Sequence, residues 1–414
     1  MRSPLFLIFP LVLYVLIDLY VYPSFKALEW GRWSRRAWWI FHGLIYAYLL
    51  WGVISFVPNN DTNGMKRSVH VFMIISVLFY VPKFIPLFFG LLEDLFRFPA
   101  SLVTGQVAER RKFLHTVAWG LAAVPFAGIL HGVLRGRWAY RTVVQRVFLP
   151  GLPEAFEGYR IAQISDVHSG SFTDPDEVQA GIDELLDARA DAVVFTGDLV
   201  NNTADEMKPW ISAFQAIAQN TPGGVYSILG NHDYGDYWQW PSNEAKKANF
   251  EALKATHAEL GWRLLLNESV ALERDGQRLD LVGVENWGLP PFPQYGNLDQ
   301  ALTGLDPAHP KILLSHDPSH FDAVVKKHPA NIGLTLSGHT HGMQFGIEIP
   351  GWIQWSPVKW KYPKWAGSYT DNASTKTLYV NRGFGYLAFP GRVGIWPEIT
   401  VFELTGKTLS SVHG

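Results

Sequence analysis

The chain has 414 residues, long for one domain, so at least two structural units are expected. Lys and Arg number 35 against 37 Asp and Glu, and a formal charge of −2 argues against a dedicated binder of nucleic acid or other polyanions. The absence of cysteine excludes disulfides and thiolate metal sites, while 17 Trp and 26 Phe make an aromatic excess of the kind that accompanies membrane interfaces.

Four apolar stretches come first, about Leu5–Tyr22, Ala37–Val57, Val71–Leu92 and Phe113–Leu134. Each approaches or exceeds the ~20 residues that a spanning helix needs. Residues 1–135 are therefore expected to form a transmembrane region of about four helices. The first connecting loop holds Lys26, Arg32, Arg35 and Arg36, the second only Lys66 and Arg67, and the third Arg97, Arg110, Arg111 and Lys112. Positive loops stay cytoplasmic, which places the large C-terminal part outside. Arg135, Arg137, Arg141 and Arg146 after the last stretch nearly erase that bias. Glu109-Arg110-Arg111-Lys112-Phe113-Leu114 resembles a twin-arginine export signal and tips the balance. The expectation is a multi-pass protein of a bacterial cell membrane with its catalytic part on the outer side. Asp18 and Lys83 sit at similar depths in stretches that run the same way, which suits a structural ion pair or an Asp18 that reaches for the helix end.

Residues 136–155 read as a basic linker followed by Pro and Gly, and residues 156–414 as one soluble domain. Strand-like runs there are Arg160–Ile164, Ala192–Thr196, Val225–Leu229, Leu279–Gly283, Lys311–Ser315 and Leu334–Leu336, with Thr377–Val380 and Glu398–Leu404 closing a second sheet. Asp176–Arg189, Glu206–Gln219 and Glu244–Leu260 read as amphipathic helices between them. Alternation of this kind means α/β layers, with ligands just past the carboxyl ends of the strands.

Five short motifs stand at those ends: Asp166-Val-His168, Gly197-Asp198, Gly230-Asn231-His232-Asp233, Ser315-His316 and Gly338-His339-Thr340-His341. Singly, each is as well explained by turn chemistry. Together they offer the oxygen and imidazole donors that suit Mn, Fe or Zn, and a pair of such ions is a standard device for hydrolysing phosphate esters.

The pattern DxH, GD, GNHD, SH and GHTH resembles the calcineurin-like metallophosphoesterase superfamily over about Arg160–Leu404. GHTHGMQ at Gly338–Gln344, NRGFG at Asn381–Gly385 and PEI at Pro397–Ile399 look like its bacterial membrane-associated or exported subgroup, with Met343 where the usual motif has a second Gly. The spans ahead of the domain are similar to those of transmembrane proteins with a metallophosphoesterase domain. The resemblance implies a four-layer αββα sandwich holding two divalent ions, Mn foremost. It assigns Asp166, His168 and His341 to the first ion, Asn231, His316 and His339 to the second, and Asp198 to both. His232 would face the phosphate as proton donor, and Asp233 would orient it. A hydroxide generated between two cations would attack in line, with no covalent intermediate.

The expected activity is a metal-dependent phosphohydrolase, with monoester, diester and pyrophosphate cleavage all open. Trp352, Trp355, Trp360 and Trp365, interleaved with Lys359, Lys361 and Lys364, suit a surface that meets anionic headgroups, which favours a lipid phosphate; indoles packed on their own domain are the bland alternative. Two other readings stay open: a tethered hydrolase of soluble nucleotides or phosphoproteins, and a metal-stabilised membrane sensor without turnover. No nucleic-acid partner is expected.

Overall fold

The computed structural model describes residues 5–56, 70–100, 108–349, 351–371 and 376–407. The chain divides into two compact units, Met1–Leu134 with Ala388–Gly391, and Arg135–Leu387 with Arg392–Gly414.

The first unit is helical: α1 (Leu5–Lys26), α2 (Gly31–Phe56), a π turn at Ser76–Tyr80 leading toward α3 (Phe84–Ala100), and α4 (Ala108–Leu134). Among the described residues, 3 stretches are long and apolar enough to cross a membrane: Phe9–Lys26, His70–Leu95 and Lys112–Leu134. The chain is a membrane protein, but the second expected stretch does not join that set. Its Trp38, Trp39, Tyr46, Tyr48 and Trp51 are amphipathic and lower the mean hydropathy of α2. Lys66 and Arg67 lie outside the described residues, as do the side chains of Arg97, Arg110 and Arg111.

Asp18 and Lys83 do pair, with Nζ 2.5 Å from Oδ1. The pair is embedded in a larger polar network. Tyr46 donates to Asp18 Oδ2, Tyr80 does so at 3.0 Å, and Lys83 donates to His42 Nε2 at 2.7 Å. Each side chain answers the high cost of an unpaired charge in hydrocarbon.

The second unit carries β1 (Arg141–Phe148), β2 (Arg160–Ile164), β3 (Ala192–Phe195), β4 (Val225–Ser227), β5 (Trp262–Leu264), β6 (Glu268–Arg274), β7 (Gln277–Gly283), β8 (Lys311–Leu314), β9 (Ile332–Ser337), β10 (Ile347–Ile349), β11 (Ile353–Trp355), β12 (Gly367–Asp371), β13 (Lys376–Val380) and β14 (Glu398–Thr405). Two 6-stranded sheets form, in the orders β1-β14-β2-β3-β4-β5 and β12-β13-β9-β8-β7-β6, beside a β10–β11 hairpin. The centre of each is parallel, β2 to β5 in one and β7, β8, β9 and β13 in the other, as crossover helices require. The principal helices are α5 (Pro175–Asp187), α6 (Ile211–Gln219) and α7 (Asn243–Glu259).

Strand alternation sorts the core. Ala192 and Val194 of β3 join Ile312, Leu314, Leu334 and Leu336 of the other sheet in one buried cluster. Val193 and Phe195 face the opposite way, against Val178 and Ile182 of α5 and Phe214 of α6. On the far side, Leu313 and Val380 pack with Phe321 and Val325. The α/β expectation holds, as two mixed sheets with helices against them.

Two local differences have physical causes. Residues 141–148, inside the expected linker, form an edge strand paired in parallel with β14. Their Arg141 and Arg146 look like linker charge, yet an edge strand has a solvated side on which such residues belong. The helix expected over Glu206–Gln219 starts at Ile211 and is preceded by a 3₁₀ stretch, Ala204–Trp210, because Pro209 lacks the N–H that an α-helical interior needs.

Candidate metal centre

All five motifs sit just past the ends of β2, β3, β4, β8 and β9, so two sheets deliver side chains to one place. The turns are sharp. Asp166, His168, Asp198, His339 and His341 adopt positive φ of 53, 48, 62, 74 and 48°. Each such residue costs about 1 kcal/mol or more and persists where the surroundings over-determine it, typically at a functional site. Close approach demands glycine at Gly338, where a Cβ would collide with Ser165 Oγ and the Asp166 carboxylate.

The donors fall into two groups. Ligand atoms of Asp166, His168 and His341 all lie within 4.8 Å of one another, and so do those of Asp198, His316 and His339. In the first group His341 Nε2 is 3.3 Å from Asp166 Oδ1. In the second, His339 Nδ1 lies 2.8 Å from Asn231 Oδ1 and 3.3 Å from His316 Nε2. Asp198 stands between the groups: its Oδ2 is 3.2 Å from His316 Nε2 and 3.5 Å from His168 Nε2.

Neighbouring groups turn the rings. His316 Nδ1 donates to Thr196 O at 2.7 Å, which leaves Nε2 for the site. His339 Nε2 is 2.8 Å from the Tyr362 hydroxyl, which in turn donates to Asp317 Oδ2 at 3.2 Å, so Nδ1 is the nitrogen turned toward Asn231 and His316. Arg392 Nη2 stands 3.2 Å from His341 Nδ1.

The arrangement fits a cation pair. Among the described residues, both ring nitrogens of buried His168 and Nε2 of His341 lack a partner in hydrogen-bond geometry, the 3.3 Å contact of His341 with Asp166 included. Buried polar atoms are rarely left so. Burial holds the His168 imidazole down near about 3, in the neutral form that ligates. Burial would also discharge His316, but the Asp198 carboxylate overrides it and lifts the ring to about 10. A proton then sits where a cation would serve. Burial pushes Asp166 upward, and the His341 ring beside it outweighs that and holds the carboxyl low.

His232 is half-buried, and its Nδ1 donates to Asn201 O at 2.8 Å. The orienting part expected of Asp233 therefore passes to a backbone carbonyl. Asp233 points elsewhere, accepting from the N–H groups of Asp198 (2.9 Å), Leu199 (2.8 Å), Gly230 (2.9 Å) and Val200 (3.3 Å). One carboxylate thereby clasps the loops after β3 and β4 together. Burial, and then the Asp198 charge, push it up to about 7 against the pull of those donors.

Residues 159–343 match a family described as calcineurin-like phosphoesterase, and residues 1–137 match one described as probable calcineurin-like phosphoesterase, transmembrane domain. The uncharacterized metallophosphoesterase YkuE of Bacillus subtilis is 32% identical over 257 residues, 61% of this chain and 81% of that one. The chain belongs to the calcineurin-like phosphoesterases. A transmembrane protein with metallophosphoesterase domain from Danio rerio is 28% identical over 66% of this chain and 59% of its own length. UDP-2,3-diacylglucosamine pyrophosphatase LpxG of Chlamydia muridarum is 28% identical over 56% of this chain and 81% of that one. Membership makes this phosphoesterase a metal-dependent one. Tyr362, Asp317, Asn201 and Arg392 were not singled out from sequence. Only Asp317 leaves a trace there, as the acidic neighbour of Ser315-His316.

The tryptophan-rich segment splits. Trp365 is packed with Tyr362 and Ile395, and Trp355 is half-buried. Trp352 and Trp360 are each 76% exposed, and Met343, Ile347 and Ile349 are exposed beside them in the chain. Lys361 Nζ lies 4.5 Å from the centre of the Phe292 ring, which packs edge-on against His339 at 5.0 Å. Part of this segment thus reaches the rim of the site.

Proposed function

We propose that the chain is a membrane-anchored, two-metal phosphohydrolase, a four-layer αββα sandwich on four transmembrane helices of which α2 is one. Asp166, His168 and His341 hold one ion, Asn231, His316 and His339 the other, and Asp198 serves both. The observation that carries this reading is the position of Asp198 Oδ2, within 3.5 Å of an imidazole nitrogen from each donor group. Two divalent cations, manganese foremost, supply an ionised water and neutralise phosphate oxygens when bound. His232 does the remaining proton work. With Nδ1–H held by Asn201 O, its Nε2 is the nitrogen that can pass a proton to a leaving oxygen. Asp233 keeps the two loops in register and touches no reacting atom.

A lipid phosphoester or pyrophosphate is the proposed substrate class. The printed activity of the LpxG relative supports it, as does the exposed apolar row Met343, Ile347, Ile349, Trp352 and Trp360 with Lys359 and Lys361. The full-length protein, reconstituted with manganese, should hydrolyse phospholipid in mixed micelles and lose the activity to a chelator. His232→Ala should keep its metal and lose roughly 10²–10⁴ in rate. Full activity of that variant would refute the role of His232, and turnover of soluble nucleotides alone would refute the lipid class.

The catalytic domain is proposed to lie on the outer face of a bacterial membrane, on the loop charges and the twin-arginine-like Arg110-Arg111. A reporter that fluoresces only after export, fused after Arg137, should light up. Activity solely from a cytoplasmic reporter would reverse the topology.

A further inference from the structure

Within the helical unit a cavity of about 970 Å³ opens among α1, α2, α4 and the π-turn segment. That is at the upper end of the ~300–1,000 Å³ range of small-molecule sites. Its walls are aromatic, with Trp38, Phe41, Phe79, Trp119 and Phe126 prominent. Phe41 on α2 and Trp30 in the loop before it remain 41% and 68% exposed, so the cavity opens to the outer surface of the helices near the start of α2. The π turn at Ser76–Tyr80 contributes Phe79 and precedes Lys83, and such turns are frequent at functional sites.

The polar groups at this cavity narrow the ligand. Lys83 lines it and spends two of its three hydrogens on Asp18 and His42. Trp38 also lines it, is only 8% exposed, and its Nε1–H has no hydrogen-bond partner among the described residues. Ser34 and Thr116, which also line it, spend their hydroxyl hydrogens on Gly31 O and Lys112 O, so the donors left are those of Lys83 and Trp38. Asp18 already balances the charge of Lys83, and its other oxygen is taken by Tyr46 and Tyr80. An anion would compete with Asp18 and leave a buried carboxylate unpaired, which is costly. An uncharged acceptor carries no such penalty.

We propose that this cavity binds one long-chain lipid, its hydrocarbon against the aromatic walls and an uncharged acceptor, an ester carbonyl or a hydroxyl, at Lys83 and Trp38. The site is separate from the phosphoesterase centre and stands whether or not that centre turns over lipid.

The test is native mass spectrometry of the full chain, stripped in detergent and then re-lipidated. Phosphatidylglycerol offers the ester carbonyl in one arm, and undecaprenol the hydroxyl in the other. One arm should saturate at one lipid per chain. Gly120→Phe provides the block. Gly120 lines the cavity and a Cβ there meets nothing within 4 Å, so a larger side chain starts into open space. It should cut occupancy at least roughly fivefold while elution and Tm stay unchanged. Trp38→Phe keeps the ring, removes the indole donor, and should lower occupancy less. No saturable lipid in either arm, or equal occupancy in wild type and a folded Gly120→Phe, would overturn the proposal.

Discussion

On the proposed two-ion site, Asp198→Asn should release both ions and lower turnover by about 10³-fold or more, because one carboxylate would serve both donor groups. Asp198 Oδ2 faces His316 Nε2 at 3.2 Å and His168 Nε2 at 3.5 Å, while Oδ1 accepts the backbone N–H of His232 at 2.8 Å. The amide of asparagine keeps one oxygen, enough for the His232 contact. Its NH₂ then meets nitrogens that must stay free to ligate. Both the shared negative charge and the shared oxygen are lost, so neither ion is held by the other donors alone. The fold should survive, since Asp233 still clasps the same loops. Metal content by inductively coupled plasma mass spectrometry and initial rates on an aryl phosphodiester decide the matter. Two equivalents of metal with a rate within tenfold of wild type would show that Asp198 is no shared ligand.

Arg392→Met is expected to cost about 3–5 kcal/mol of stability, the range for breaking a buried charged network from one side. Arg392 is fully buried and lies between the Asn381–Gly385 and Pro397–Ile399 motifs without belonging to either. Its Nε donates to Gly385 O at 3.0 Å, Nη1 to Arg382 O at 2.8 Å, and Nη2 to Gly383 O at 3.0 Å and Gly385 O at 2.5 Å. Methionine matches the stem and leaves those carbonyls without partners. The damage reaches the metal centre through the Asn381–Gly385 loop, because Phe384 N donates to Ser165 O and Gly385 N to Asp166 O. Burial lowers the guanidinium to about 10, with the Asp166 charge pulling the other way, so Arg392 stays charged at neutral pH. Lysine is not an adequate replacement, since a single ammonium cannot reproduce the planar fork. Urea unfolding of the full chain should show the midpoint fall. A loss below about 1 kcal/mol would mean that water replaces the lost donors.

The donor set was legible in the sequence because each residue ends a buried strand, where a short polar motif has little reason to stand unless it has a task. Asp166, His168 and His341 gather in one group and Asp198, His316 and His339 in another, with Asn231 beside His339. Continuous apolar runs alternating with helical patterns likewise revealed the parallel strands at the sheet centres, which are buried along their whole length. What stayed hidden was anything decided by direction rather than by position. Asp233 adjoins His232 in sequence, yet its carboxylate turns toward backbone nitrogens of Asp198 and Leu199. Tyr362 and Arg392 act across 23 and 51 residues of chain, on His339 and His341. No local pattern records such contacts. β1 was missed because an edge strand with arginines on its solvated side has the composition of a linker, and α2 is marginal because indole and phenol rings read as half polar.

The pairing of β1 with β14 also bears on how the domain is made. Among the described strands Arg141–Phe148 comes first in the chain and Glu398–Thr405 last, yet they are neighbours in register from Arg141↔Glu398 to Phe148↔Thr405. β14 also separates β1 from β2. A nascent polypeptide emerging from the ribosome therefore presents an N-terminal strand with no place to dock until some 250 further residues have been translated. Completion of this sheet waits for β14, and a chain stopped short of Glu398 would leave β1 without its partner and the β2 edge open to aggregation.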